Sequence, residues 1–188
     1  MKRAVVASLW ILLSTGSVLA QLGKPGAIDA GTPEDRAMTA IEKEADVAKR
    51  IELLEKFVQQ FPGAPRLLGY RRLQASYLQL GQQEADAARK TEWLNKSILS
   101  GLGALRLDPR DFATITNLTR AFALKQDAMQ AFNYGVLAAG LVQQLKAMGP
   151  PEGTQAAVWE STKAGLLDQA QPDYQYLEYT LFQLASQQ

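Results

Sequence analysis

The stretch "GALRLDPRDFATITNLTRAF", residues 103–122, joins the end of one predicted helix to the start of the next. Asp108-Pro109 interrupts an Ala- and Leu-rich run, because proline lacks an N–H and disfavours the helical conformation of the residue before it. After the break, apolar residues return at helical spacing, at Ile115, Leu118 and Phe122. The stretch therefore predicts a reversal of the chain between two amphipathic helices.

Similar breaks recur along the chain, and no stretch alternates with the period of two that is typical of a strand. Near the N-terminus, Thr32 and Pro33 are typical of an N-cap and a first helical residue. We predict an all-α protein without strands. Its eight helices are expected at about 33–45, 46–60, 67–80, 84–107, 111–125, 127–148, 154–168 and 172–186.

Each predicted helix carries an apolar face that should pack against its neighbours. In the sixth helix the small residues Ala131 and Ala138 are expected to let a neighbouring helix approach closely. Trp93 and Trp159 are interpreted as packing residues. The other residues assigned to apolar faces include Val47, Ile51, Leu54, Phe57, Val58, Leu73, Tyr77, Phe132, Val136, Leu137, Leu141 and Leu145.

Residues 1–20 have the features of an export signal. A basic start precedes an apolar run at 4–13, and small residues lead to Ala20, where we expect a signal peptidase to cleave. An uncleaved membrane anchor is the alternative, although a membrane-spanning helix needs about 20 mostly apolar residues. The expected location of the mature chain is the periplasm or the extracellular medium.

The remaining 168 of the 188 residues are expected to form a flexible linker at 21–31 and one domain at 32–188. The chain has no Cys, so neither a disulfide nor a lipid on Cys is available to it. Loss of the two basic residues of the signal lowers the formal charge from +1 to −1. This balance gives no electrostatic argument for a nucleic acid or an anionic membrane as the main partner.

The chain also has no His, so the commonest general base and metal ligand are absent along with the thiol nucleophile. We expect no catalytic residue, no cofactor and no metal. One enzymatic alternative stays open, a carboxylate-dependent hydrolase of envelope polymers on a helical superstructure. Its candidate acids are Asp108, Asp111, Glu152 and Glu160, although their spacing in the sequence does not demand a catalytic pair.

The helix pairs match a known repeat pattern, the tetratricopeptide repeat, whose first helix reads W-x2-L-G-x2-Y. One unit fits it with Ile115, Leu118, Thr119 and Phe122, and the preceding unit fits it with Tyr70, Leu73, Gln74 and Tyr77 and a closing Pro109. This resemblance implies a right-handed stack of about four antiparallel helix hairpins, a tetratricopeptide-like α-solenoid, in which each hairpin covers an apolar face of its neighbour.

The match has departures. Gly135 occupies a position where the repeat usually has Phe, and Pro62 and Pro109 lie 47 residues apart, against about 34 in the consensus. The last unit, from 154 onward, fits poorly and is expected to be a capping hairpin. A generic helical bundle is the alternative fold.

From about residue 37 onward the chain resembles exported tetratricopeptide-repeat proteins of bacteria, most clearly in "ADVAKRIELLEKFVQQFPGAP" at 45–65. The resemblance implies a non-enzymatic scaffold of the cell envelope that binds a protein or peptide. Membrane contact is expected only through an uncleaved signal. A structural subunit that docks through its last helix is a further alternative.

Ligands of such stacks lie on the concave face that the first helices of the hairpins form. By register, the resemblance implies that Arg71, Ala75, Thr116, Asn117 and Arg120 point into this face, where Arg could pair with a peptide carboxylate. The alternative is that the arginines near 71 belong to a solvated surface.

The last predicted helix contains a cluster of tyrosines. Tyr174 and Leu177, with Leu181 and Leu184, form one stripe that should pack against the preceding helix. Tyr176 and Tyr179 fall off this stripe and are candidates for exposed binding aromatics, with core or capping roles as the alternative.

Overall fold

The computed structural model of the protein describes residues 28–186, without the side chains of residues 181, 184 and 185. Within this range the chain forms seven α-helices and no strand, which confirms the all-α prediction. The expected signal peptide, its cleavage after Ala20, most of the linker and the last two residues of the domain lie outside the described residues. The helices are α1 (Pro33–Lys43), α2 (Val47–Gln60), α3 (Ala64–Gln83), α4 (Ala87–Leu107), α5 (Phe112–Leu124), α6 (Ala128–Ala147) and α7 (Ala156–Ala185).

Side-chain caps set the starts of four helices. The Thr32 hydroxyl accepts a hydrogen bond from the Asp35 backbone N–H at 3.2 Å, as the sequence predicted for α1. The carboxylates of Asp46, Asp86 and Asp127 accept backbone N–H bonds in the same way at α2, α4 and α6. Each cap satisfies an N–H that the first helical turn leaves without a partner.

The prediction of a break at Pro172 is wrong, because α7 runs through this proline as one helix of 30 residues. Pro172 cannot donate to the carbonyl of Asp168, and both residues lie on the exposed side of α7, where water can replace a helical hydrogen bond. On either side of the proline, Ala170 and Leu177 are buried in one apolar cluster. This packing holds both halves of the helix, and the predicted fourth hairpin is a single helix.

The core consists of three apolar clusters that follow one another along the chain. The first joins α1, α2 and α3 around Leu54 and Phe57. The second joins α3, α4 and α5 around Leu94 and Leu118. The third joins α5, α6 and α7, and its buried members are Phe112, Ile115, Ala138, Leu141, Val142, Ala170 and Leu177.

Glycines allow α3 and α4 to pack at short range. A Cβ added to Gly101 would overlap Nε2 of Gln74, and one added to Gly103 would lie 2.9 Å from the ring of Tyr70. Neither position has room for a larger side chain without movement of its neighbour. This close approach makes the α3–α4 pair the most extensive helix contact of the described chain.

All the extensive helix contacts are local in the chain. Each described helix packs on the next one, and α5 also packs on α3 and on α7. Among residues 28–186, no helix has the length and apolar character that crossing a membrane requires.

The sixth helix departs from the expected apolar face. Ala131 and Ala138 are fully buried as predicted, together with Leu141 and Leu145. However, Phe132, Val136 and Leu137, which the sequence analysis assigned to the packed face, are 42–49% exposed. Val47 of α2, also expected in the core, is 42% exposed. The closely packed face of α6 therefore consists of small residues in its first half and of Leu141, Val142 and Leu145 in its second half, while Phe132, Val136 and Leu137 lie outside.

Candidate binding site

A groove of about 340 Å³ lies where α1 and α3 pass over α2. Met38, Ile41 and Leu54 line its floor, and each of them is at most 5% exposed. The polar rim and the remaining wall, which complete what we call the α1–α3 groove, consist of Glu42, Arg50, Arg72, Ala75, Ser76 and Gln79. An apolar floor with a few convergent polar groups is the usual construction of a ligand site.

Two guanidinium groups give the groove its positive charge. Arg72 donates to the Glu42 carboxylate at 2.8 Å, and both side chains are more than half exposed. Arg50 donates through Nη1 to the backbone carbonyl of Glu44 at 3.2 Å. A surface ion pair of this kind contributes only about 0–1 kcal/mol, so Arg72 can exchange Glu42 for another carboxylate at little cost.

Ala75 is the one residue of the sequence-derived set that lines this groove. It is exposed on α3, and its neighbour Arg72, which the register did not select, faces the same space. Arg71, which the register did select, points the other way, toward the turn between α4 and α5.

Arg71 holds that turn together. Its Nε donates to the Asp111 carboxylate at 2.6 Å, and its Nη2 lies 3.7 Å from the carboxylate of Asp108. The side chains of Arg71 and Asp111 are only 17% and 3% exposed. Asp111 also accepts the hydroxyl of Thr114. The break in "LDPRD" is thus tied to α3 by a largely buried ion pair that sequence spacing could not show.

A buried amide continues this polar contact between the helices. Nε2 of Gln74 donates to the carbonyl of Thr114 at 3.1 Å, while the Ser97 hydroxyl donates to the Gln74 carbonyl at 2.9 Å. All three residues are at most 1% exposed. Gln74 occupies the position where the repeat pattern has glycine, and here it links α3 to α4 and α5.

The selected residues of α5 have different surroundings. Thr116 is fully buried and donates to the carbonyl of Phe112 at 2.9 Å, so its hydroxyl does not face an open surface. Asn117 is half-buried. Arg120 donates to Asp173 at 2.6 Å, and its guanidinium lies 4.6 Å from the ring centre of Tyr176.

The tyrosines of α7 differ in their exposure to solvent. Tyr176 is half-buried under Arg120, whereas Tyr179 is 64% exposed. Leu177 is fully buried, and Tyr174 packs against the third cluster, as the predicted stripe requires. The side chains of Leu181 and Leu184 lie outside the described part of the chain.

The four candidate acids of the hydrolase alternative differ in burial and in their ionic partners. Burial raises the pKa of Asp108 above its ordinary value; the Arg110 backbone N–H lowers it, the Asp111 carboxylate raises it and Arg71 lowers it. Asp108 and Asp111 are both engaged by Arg71, whereas Glu160 is exposed and pairs with Lys163 at 2.9 Å. Glu152 is also exposed.

A second cavity of about 350 Å³ lies between α2, α3 and α4. The rings of Tyr77 and Trp93 stack there with centres 5.9 Å apart, and the Lys96 ammonium lies 4.8 Å from the Trp93 ring centre. The Tyr77 hydroxyl donates to Glu55 at 2.6 Å. The sequence analysis treated Tyr77 and Trp93 as separate packing residues, because they lie 16 positions apart on two different helices and no local pattern links them.

Among the described residues, no group of three or more Asp and Glu side chains is arranged to hold a metal ion. Comparison with known proteins identified no relative: no family model, no curated protein and no solved structure matches the chain.

Proposed function

We propose that the protein is a non-enzymatic scaffold of the bacterial cell envelope that binds an extended peptide or protein segment on tetratricopeptide-like hairpins. Two features support the repeat architecture. Two units of the sequence fill the motif positions of the repeat. In addition, α5 packs on both α3 and α7, as successive first helices of stacked hairpins do.

The observation that carries the binding role is the α1–α3 groove. It places a buried apolar floor beside two guanidinium groups, on the side of α3 that presents Ala75. An apolar side chain that enters the groove would cover Met38, Ile41 and Leu54. Burial of such a side chain contributes about 1.5–3 kcal/mol.

The rim defines the second part of the ligand. Arg50 and Arg72 present planar N–H donors that suit a carboxylate, and the Glu42 carboxylate on Arg72 shows how such a group is held. The groove therefore favours a segment with an apolar side chain next to an acidic residue or a C-terminal carboxylate.

The proposal is tested with a displayed library of random peptides, selected on the protein and then measured against two variants. Ala75→Trp fills the groove, so binding of the selected peptides should weaken by about tenfold or more, which corresponds to about 1.4 kcal/mol. Ala88→Trp is the matched control, because Ala88 is an exposed alanine on α4 away from the groove. If the selected peptides bind both variants equally well, the α1–α3 groove is not their binding site.

A second candidate function is a structural subunit that docks through its last helix. It is favoured by α7, on which Tyr179 and Phe182 are 64% and 69% exposed. Changing both residues to Ser should leave peptide binding in the groove unchanged and abolish incorporation into an assembly, if this role is the correct one.

A further inference from the structure

The outer surface of α6 is apolar although its inner surface is already packed. Met129, Phe132, Val136 and Leu137 are 68%, 42%, 49% and 45% exposed. The opposite side of the same helix is buried through Ala131, Ala138 and Leu141, among others. A helix that is apolar on all sides is normally covered on all sides, so this surface is expected to have a partner.

The surface carries little charge: no charged side chain belongs to the face itself, and one guanidinium lies at its border, where Arg110 donates to Gln144 at 2.6 Å. From Ala128 to Pro151 the sequence contains no Asp or Glu, and Lys146 is its single basic residue. A helix that lies on a membrane surface usually places several Lys or Arg on the borders of its apolar face, and α6 does not. An uncharged apolar face can instead meet an identical face without repulsion between like charges.

The order of side chains along the face is self-complementary. At 3.6 residues per turn, one side of α6 presents three large apolar residues and one amide in its first half, and only small or amide residues in its second half. Gly140 in the second half has no atom within 4 Å of the position of a Cβ, so it leaves open space. The residues of this α6 outer face are Met129, Phe132, Asn133, Val136, Gly140, Gln143, Gln144 and Ala147.

These eight residues are symmetric about position 138. An antiparallel copy of the helix, rotated about a two-fold axis at this position, would bring each large side chain onto a small or flexible one. The pairs between the two copies are Met129 with Ala147, Phe132 with Gln144, Asn133 with Gln143, and Val136 with Gly140. In the third pair, Oε1 of Gln143 can accept from the Asn133 amide, while Nε2 of Gln143 already donates to the Tyr174 hydroxyl at 3.4 Å.

We infer that the protein forms a two-fold symmetric dimer through the α6 outer face, with the α6 helices of the two copies antiparallel. The partner on this face is therefore a second copy of the same chain. The contact lies on α6, apart from the α1–α3 groove, so it does not depend on the proposed peptide-binding role.

The first test is the mass in solution, measured by sedimentation equilibrium over a concentration series. The wild-type chain should have twice the mass of one chain, and Val136→Asp should raise the dissociation constant by about tenfold or more, because it buries a charge without a partner. Leu99→Asp is the matched control, since Leu99 is a 67% exposed leucine on α4. Thermal melting by circular dichroism checks that each variant is folded.

The second test reads the orientation of the helices with a short thiol cross-linker, which the absence of native Cys makes unambiguous. Met129→Cys mixed with Ala147→Cys should give a covalent heterodimer. Met129→Cys alone should give none, because the antiparallel pairing separates its two copies by 18 residues, or about 27 Å of helix.

Three results on the dimer itself would overturn the inference, and one on membrane binding would do so as well. The first three are a wild-type chain with the mass of one copy at every concentration up to its solubility limit, a dimer that Val136→Asp leaves unchanged, and efficient cross-linking of Met129→Cys to itself. Binding of the wild-type chain to lipid vesicles that Val136→Asp abolishes would assign the face to a membrane instead, and would also overturn it.

Discussion

Replacing Arg71 by Met removes the guanidinium that ties α3 to the turn between α4 and α5. The change leaves Asp111, whose side chain is 3% exposed, without its charged partner at 2.6 Å. Removal of one partner from a buried ion pair costs about 3–5 kcal/mol. Because the Arg71 side chain is 17% exposed, we expect a loss near the lower end of this range, about 3 kcal/mol of unfolding free energy.

The adjacent Arg72 provides a matched control. It also forms one ion pair with a carboxylate on another helix, but both members are more than half exposed. Arg72→Met should therefore change the unfolding free energy by less than about 1 kcal/mol. Urea unfolding followed by circular dichroism measures both variants. For a chain of this size, 3 kcal/mol corresponds to a fall of about 6–12 °C in the melting temperature.

The pH dependence gives the same prediction a second readout. In the folded protein, burial raises the pKa of Asp108 above 3.8, and Arg71 is one of the groups that oppose this rise. A raised pKa means that the folded state favours the protonated acid, so stability falls as the pH rises through the interval above 3.8. Without Arg71 this loss grows, and the destabilisation of Arg71→Met should be larger at neutral pH than in acid.

Equal unfolding free energies for Arg71→Met and Arg72→Met would refute the reasoning. They would mean that the buried pair contributes no more than an exposed one, and that apolar packing alone fixes the turn. A penalty that does not shrink on acidification would remove the role assigned to the carboxylates.

Two further changes test the packing. Gly101→Ala should destabilise the fold by about 1–3 kcal/mol, since its Cβ would overlap Gln74, whereas Gly165→Ala, with no atom within 4 Å, should be neutral or stabilising in thermal melting. Burial, and to a smaller extent the hydrogen bond to Glu55, raises the pKa of Tyr77 far above its ordinary value of 10.0. As the pH rises, this tyrosine therefore ionises in the unfolded chain before it does in the folded protein, and the free energy of unfolding should fall above pH 10. Melting on both sides of that pH should show a smaller alkaline loss in Tyr77→Phe, and an unchanged loss would contradict the assignment.

The helices of the fold could be predicted because their signals are local. Thr32, Asp46 and Asp127 mark helix starts through contacts with residues two or three positions away. Pro172 misled the prediction for the same reason. Its local preference for a break is overridden by the burial of Ala170 and Leu177, which no local pattern reveals.

The candidate site could be predicted only in part. The register placed Ala75 on the side of α3 that lines the α1–α3 groove, but it could not distinguish Arg71 from Arg72. The direction of each arginine depends on carboxylates 40 and 30 positions away, at Asp111 and Glu42. The exposed face of α6 was missed because Phe132 and Val136 look like core residues, and only the packing of Ala131 and Ala138 shows which side is buried.

The local pattern of helix contacts has a consequence for how the molecule folds and opens. Because the extensive contacts join helices one or two places apart, the contact order is low, and low contact order is associated with rapid folding. Elements with few contacts can open locally while the rest of a structure stays closed. Of the described helices, α1, which forms one wall of the α1–α3 groove, packs extensively on α2 alone, so the groove can widen to admit a bulky segment while the α3–α4 pair remains intact.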